Sequence, residues 1–228
     1  MKDKRFFVAQ FHLISDNVLS MKKYNLYFFD FDGTIVDSFK SLVEIFSRSF
    51  KAVGVEIKAE DCVLYSRRPL EETYKELNAP IEKADIFVKE IRHWLNDDEI
   101  LRMTELFPDT YDCLKTLYDN GAKLGIVTSN SEKHVKDTLE FLKIPVEWFA
   151  IIVGNDQVKE TKPSPMPLLY SLEKLNWRDK SSVVYVGDGM NDMISANRAG
   201  IPAILIDRIN EFEEADNYTK IKTLLDLI

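Results

Sequence analysis

The chain has 228 residues and a formal net charge of −8, with 45% hydrophobic and 30% charged residues, a balance that suits a soluble globular fold with a sizeable core. That acidity excludes a whole-surface electrostatic footprint for nucleic acid or an anionic membrane, and no apolar run is long enough to cross a bilayer. Cys62 and Cys113 lack metal-ligand spacing, so neither a disulfide framework nor a zinc site is expected and a reducing cytoplasm fits best.

Residues 1–21, beginning "MKDKRFFVAQ", lack a clean apolar stretch and a small-residue cleavage site, and are read as a non-secretory N-terminal extension. A first strand is predicted at Asn25–Phe29, running into "DFDGT". From Phe39 to about Leu106 only helical periodicity is found. "FKSLVEIFSRSFKAVG" carries Phe39, Leu42, Val43, Phe46, Phe50 and Val53 on one stripe and stops at Gly54. "PLEETYKEL" and "KADIFVKEIRHWL" continue the pattern. Next, "PDTYDCLKTLYDNG" sets Tyr111, Leu114, Leu117 and Tyr118 on one helical face and ends at Gly121. "SEKHVKDTLEFLKI" does the same with Val135, Leu139 and Leu142, and "NDMISANRAG" closes at Gly200. Between these lie "KLGIVTSN", "FAIIVGND", "SVVYVGDG" and "IPAILID", each short, continuous and apolar like a strand covered on both faces. Such alternation argues a doubly wound α/β domain with a Rossmann-like parallel sheet. Its core is expected over 22–37 and 107–228, interrupted by an all-helical cap over 38–106.

In such sheets ligands bind beyond the carboxyl ends of the strands. The first strand delivers Asp30 and Asp32 there, the second Thr128-Ser129-Asn130, and the fourth Asp188 with Asp192 four residues on; a loop after the third holds Lys162. Taken singly, most have ordinary explanations. Thr128 is a β-branched strand residue, Lys162 a loop lysine, Asp188 a turn aspartate between glycines, and Asp192 a helix-start acid. Asp30, flanked by Phe29 and Phe31, fits no such role. Clustered carboxylates need a cation, and an all-oxygen site suits Mg²⁺, which shares substrate phosphate oxygens. Lys162 and Thr128 would help hold a phosphoryl group, and Gly33 would let the backbone come close to it. An aspartate can then act as nucleophile. Asp30 is expected to attack phosphorus, and Asp32 to protonate the leaving oxygen and later activate water.

With "DFDGTIVDS", "IVTSN", "KPSP" and "VGDGMNDMISANRAG" in this order, the chain from Asn25 onward resembles the haloacid dehalogenase-like hydrolases. The similarity is to the branch with a helical cap after the first motif, as in phosphoglycolate phosphatases and β-phosphoglucomutases. The resemblance implies Asp30 as nucleophile, Asp32 as general acid/base, Thr128 as the phosphate-binding hydroxyl with Ser129 and Asn130 beside it, and Lys162 as the lysine steadying nucleophile and phosphate. It implies Mg²⁺ held by Asp30, the Asp32 backbone carbonyl and Asp188, with Asp192 in a supporting or water-mediated place. Metal-free dehalogenation would not need Asp32 or this acidic fourth motif, and a membrane pump would need spans that are missing.

Substrate choice is expected to rest on the cap, hinged near Asp37-Ser38 and Phe107-Pro108. In "YSRRPLEE", Arg67 stands about where related caps carry a glycine. Arg67 and Arg68 could read a carboxylate or second phosphate by bidentate contacts, or could simply balance Glu71 and Glu72 at the surface. The expected partner is a small-molecule phosphate ester, such as a phosphoglycolate-like acid or a sugar phosphate, with the chain a monomer or homodimer. A phosphomutase would use the same core, and a protein that binds a phosphate ligand without turnover is the alternative of another class.

Overall fold

A computed structural model describes residues 23–62, 65 and 70–228. The expected N-terminal extension and Arg67 and Arg68 therefore lie outside the described residues. Strand β1 (Leu26–Phe29) sits at the centre of a parallel sheet between β4 (Lys123–Val127) and β6 (Val183–Gly187). Beyond β4 comes β5 (Phe149–Val153), and beyond β6 come β7 (Ala203–Ile206) and β8 (Thr219–Ile221), giving the order β5-β4-β1-β6-β7-β8.

Successive side chains of a strand point to opposite faces, and β1 shows what that does here. Tyr27 and Phe29 enter an apolar cluster with Leu114 and Leu117 of α5 (Thr110–Asp119) and Val135 and Leu139 of α6 (Glu132–Phe141). Leu26 and Phe28 enter another with Leu168 and Leu172 of α7 (Met166–Lys174) and Met193 and Ala196 of α8 (Met190–Ala199). Each fully buried aromatic contributes about 1.5–3 kcal/mol relative to exposure. With helices on both faces, the core is the doubly wound sheet anticipated from the sequence.

The insert builds a core of its own. Helix α1 (Phe39–Ala52) packs on α3 (Ala84–Trp94), with α2 (Leu70–Glu76) and α4 (Asp98–Leu101) completing it. Phe50 lies at its centre, 4.5 Å from the Phe87 ring and 6.3 Å from Tyr74, centroid to centroid. Two details of the insert differ from expectation. Phe39 is 43% exposed while Ser41, Ile45 and Ser49 are buried, so the inward stripe of α1 is rotated from the apolar one. Ser41 belongs inside because its hydroxyl meets Thr104 Oγ1 at 2.8 Å and donates to the Ile100 carbonyl at 3.1 Å. Glu105–Leu106 is also a strand, β3, paired antiparallel with β2 (Val36–Asp37) where the chain passes between core and insert. Two-residue strands leave no periodicity to read.

On the return passage, Asp109 accepts from Arg208 Nη1 at 2.8 Å, Thr223 Oγ1 at 2.7 Å and the Leu224 N–H at 2.7 Å. Arg208 also donates to the Thr34 carbonyl at 3.1 Å and lies 3.8 Å over the Phe107 ring. One ion pair thus joins the insert's base, the loop after β1 and the C-terminal segment. In α5, Tyr111 and Tyr118 are each 42% exposed and pack on Trp148, Tyr118 stacked and Tyr111 tilted, while Thr110 and Cys113 point inward instead. Among the described residues no helix is long and apolar enough to cross a membrane, and both cysteines are free and buried.

Candidate active site

Asp30 follows β1 directly, and its N–H donates to the Val186 carbonyl at 2.8 Å, extending the ladder to β6 by one residue. The strand pairing therefore fixes where its carboxylate stands. Thr128, the residue after β4, is held likewise by its N–H to the Val153 carbonyl at 3.0 Å. Lys162 reaches this edge from the loop between β5 and α7, its side chain 6% exposed, with Nζ 2.7 Å from Asp30 Oδ1 and 2.6 Å from Asp192 Oδ1. Asp30, Asp188 and Asp192 each offer a carboxylate oxygen, all within 4.8 Å of one another.

Two glycines make that crowding possible. Gly33 has φ +74°, and a Cβ there would collide with the Asp188 carboxylate. A Cβ on Gly187 would collide with Asp192. The carboxylates can converge only because these positions carry no side chain.

The charges do not balance. Burial pushes the Asp30 carboxyl well above the usual carboxylate range; Lys162 draws it down by less, and Asp192 and Asp188 push it further up. For Lys162, burial works against the charge, but Asp192 and Asp30 outweigh it and hold the ammonium above its ordinary range. Within 4.8 Å and at an effective dielectric of about 20, each like-charged pair costs roughly 3.5 kcal/mol or more. One ammonium cannot offset three carboxylates. The donor set, all hard oxygen, fits a divalent cation such as Mg²⁺ or Mn²⁺.

Asp32, two residues from Asp30, is placed differently. Its carboxylate is not one of the three that converge; Oδ2 accepts from Asn130 Nδ2 at 2.5 Å. It also lines a cleft under the insert, with Ser38, Ser41, Ile100, Asn130 and His134 around it. His134 Nδ1 lies 3.1 Å from the Leu95 carbonyl at the end of α3, so the imidazole ties α6 of the core to the insert. Since a carbonyl only accepts, Nδ1 carries the proton.

The Thr128-Ser129-Asn130 segment is pinned to the loop after β5. Thr128 Oγ1 accepts the Asn130 N–H at 3.2 Å, Asn155 Nδ2 donates to the Ser129 carbonyl at 2.5 Å, and the Asn155 N–H donates to the Asn130 carbonyl at 2.9 Å. Every strand-end residue singled out from the sequence is therefore at this edge. Tyr185 was not anticipated. It is fully buried on β6, and its hydroxyl lies 2.8 Å from the Val127 carbonyl and 3.0 Å from Asp192 Oδ1. The signal was available, since a tyrosine inside an otherwise apolar strand needs a partner for its hydroxyl.

A family model for haloacid dehalogenase-like hydrolases matches residues 27–206. Among curated proteins, a phosphoglycolate phosphatase of Photorhabdus laumondii is 28% identical over 185 residues, 77% of either chain. A pyrophosphatase PpaX of Oceanobacillus iheyensis is 29% identical over 173 residues, covering 76% of this chain and 78% of its own. Among solved structures, a haloacid dehalogenase-like protein of Bacteroides fragilis superposes with a TM-score of 0.79 at 28% identity, over 90% of this chain and all of the other.

Proposed function

The chain belongs to the haloacid dehalogenase-like hydrolase family, and from that premise we propose that it is a Mg²⁺-dependent phosphatase of a small phosphorylated metabolite, working through an aspartyl-phosphate. The observation that carries this reading is the divergence of two aspartates two residues apart. Asp30 sits among Lys162, Asp188 and Asp192, while Asp32 faces Asn130 and the cleft under the insert. A nucleophile belongs beside the charges that hold phosphate; a proton donor belongs on the side where the leaving group lies.

In this reading the Asp30 carboxylate attacks phosphorus and the ester P–O bond breaks. The leaving oxygen takes its proton from Asp32. Asp32 then takes a proton from water, whose oxygen attacks the aspartyl-phosphate, releasing phosphate and restoring Asp30. Lys162 offsets charge at Asp30 throughout, and Thr128 and the backbone N–H groups near Gly33 face the phosphoryl oxygens. Asp30, Asp188 and the backbone carbonyl of Asp32 would hold Mg²⁺, with Asp192 in support. When bound, the ion supplies charge neutralisation that lets an anionic nucleophile approach an anionic ester.

In support of a substrate class, two relatives are named for phosphoglycolate and pyrophosphate, both of which carry a second anionic group. We take a small phosphorylated acid as the preferred substrate, with Arg67 and Arg68, outside the described residues, as the groups that read its second charge. Purified protein with Mg²⁺ should release phosphate from an aryl phosphate and, faster, from phosphoglycolate; Asp30→Asn should lose about 10³-fold or more. Following isomer formation with a sugar phosphate in the same panel separates hydrolysis from phosphoryl return. No release across the panel would favour a protein that only binds phosphate ligands.

A further inference from the structure

Tyr185 presents one hydroxyl to two acceptors on different elements. Val127 is the last residue of β4, immediately before Thr128; Asp192 lies in the first turn of α8. A phenol has a single proton, so the two acceptors share it, and the charged Asp192 carboxylate is the stronger of them. Burying the tyrosine would need only one. Asp192, in turn, is held on every side: Oδ1 accepts from Lys162 Nζ at 2.6 Å and faces Tyr185, and Oδ2 accepts the Gly189 N–H at 3.1 Å. A phenol keeps its proton at neutral pH, so the hydroxyl is a donor to these groups.

We propose that Tyr185 is a positioning residue for the reaction: its buried hydroxyl bridges Val127 and Asp192 and sets the carboxylate orientation from which Asp192 holds Lys162 and faces the cation-binding cluster. The proposal rests on the Mg²⁺-phosphatase reading above. Its physical content is that of an outer partner to a metal-ligating group, whose loss typically costs 10–100-fold in metal affinity or activity. Without the hydroxyl, Asp192 keeps the Gly189 N–H on Oδ2 and only the flexible Lys162 side chain on Oδ1. The position of that ammonium beside Asp30 is then less firmly set. Because the hydroxyl also touches β4, it ties the segment carrying Thr128 to the same cluster.

Tyr185→Phe removes one oxygen and nothing else. Calorimetric titration with Mg²⁺ alone should show about ten-fold weaker binding than wild type, and kcat on an aryl phosphate should fall about ten-fold with KM within about two-fold. A purely structural tyrosine predicts a lower melting temperature with unchanged Mg²⁺ affinity and kcat; that result overturns the proposal while leaving the phosphatase reading intact. Should the variant fail to fold, proton NMR of wild type decides. A slowly exchanging tyrosine hydroxyl resonance that shifts as Mg²⁺ is added supports the proposal, and one indifferent to Mg²⁺ overturns it. Wild type that binds Mg²⁺ but releases no phosphate from the panel sinks the phosphatase reading instead; wild type that binds no Mg²⁺ sinks both.

Discussion

The sheet core and the helical insert bury comparable aromatic side chains, yet they leave different things at their surfaces. In the core, parallel strands end together, so residues far apart in the chain arrive at one edge already fixed by backbone hydrogen bonds, as Asp30 and Thr128 are. In the insert, Phe50, Tyr74 and Phe87 hold helices to one another, and among the described residues Ser41, Thr104 and Ile100 line the cleft shared with Asp32. Precision belongs to the first region and access to the second. Substitutions in the core should therefore act on every substrate alike, whereas those in the insert should act on binding.

The largest effect is expected at Lys162. Replacing it with Met leaves Asp30 and Asp192 buried without their shared ammonium, and kcat should fall by about 10³-fold or more, roughly 4 kcal/mol, whatever ester is offered. Steady-state kinetics on two unlike esters checks this; a loss confined to one of them would break the division of labour between the regions.

Next comes Arg208→Met, which strands Asp109 and should cost about 3–5 kcal/mol in urea unfolding at neutral pH. Burial alone would raise the Asp109 carboxyl, but hydrogen bonds from Arg208, Thr223 and the Leu224 N–H outweigh it and hold it below the usual range. A depressed folded pKa stabilises fully above the ordinary carboxylate value of about 4 and is lost as pH falls through the folded value. The gap between variant and wild type should accordingly narrow in acid; a gap independent of pH would assign the loss to the Phe107 stack instead.

Phe50→Ala should cost the insert about 3–4 kcal/mol. Hydrogen exchange ought to accelerate in α1 and α3 while β1, β4 and β6 stay protected. Acceleration throughout would show that the two regions unfold as one.

The smallest effect is expected at His134. Loss of one hydrogen bond to Leu95 is worth about 1 kcal/mol, so His134→Ala should raise KM a few-fold and leave kcat nearly unchanged. A kcat loss as large as that of Lys162→Met would place the imidazole in the chemistry rather than in the tie between core and insert.

How much of this could be read from the chain depended on whether the cause was local. Strands β1, β4, β5, β6 and β7 are continuous apolar runs, and their buried patterns announce themselves. Strand β8 does not: three residues with Lys220 in the middle carry no such signature, and only β7 beside them makes a strand of them. Tyr111 and Tyr118 have the spacing of a buried face but find Trp148 outside the sheet. The strand-end residues were readable because parallel topology brings strand ends together. The Asp32–Asn130 contact spans 98 residues and the Asp109–Arg208 pair 99, and no local pattern encodes partners at that distance.

Where the chain leaves the core and where it comes back, β2 and β3 are bonded edge to edge, Val36 against Leu106 and Asp37 against Glu105. Two separate tethers would let a lid slide, twist or lift at will. Fused into one ribbon they make a single flexure, with bending as the soft direction and shear resisted by the paired backbone. The insert should rock like a door on one hinge pin, so that Ser41 and Thr104 return to the same place in the cleft they share with Asp32.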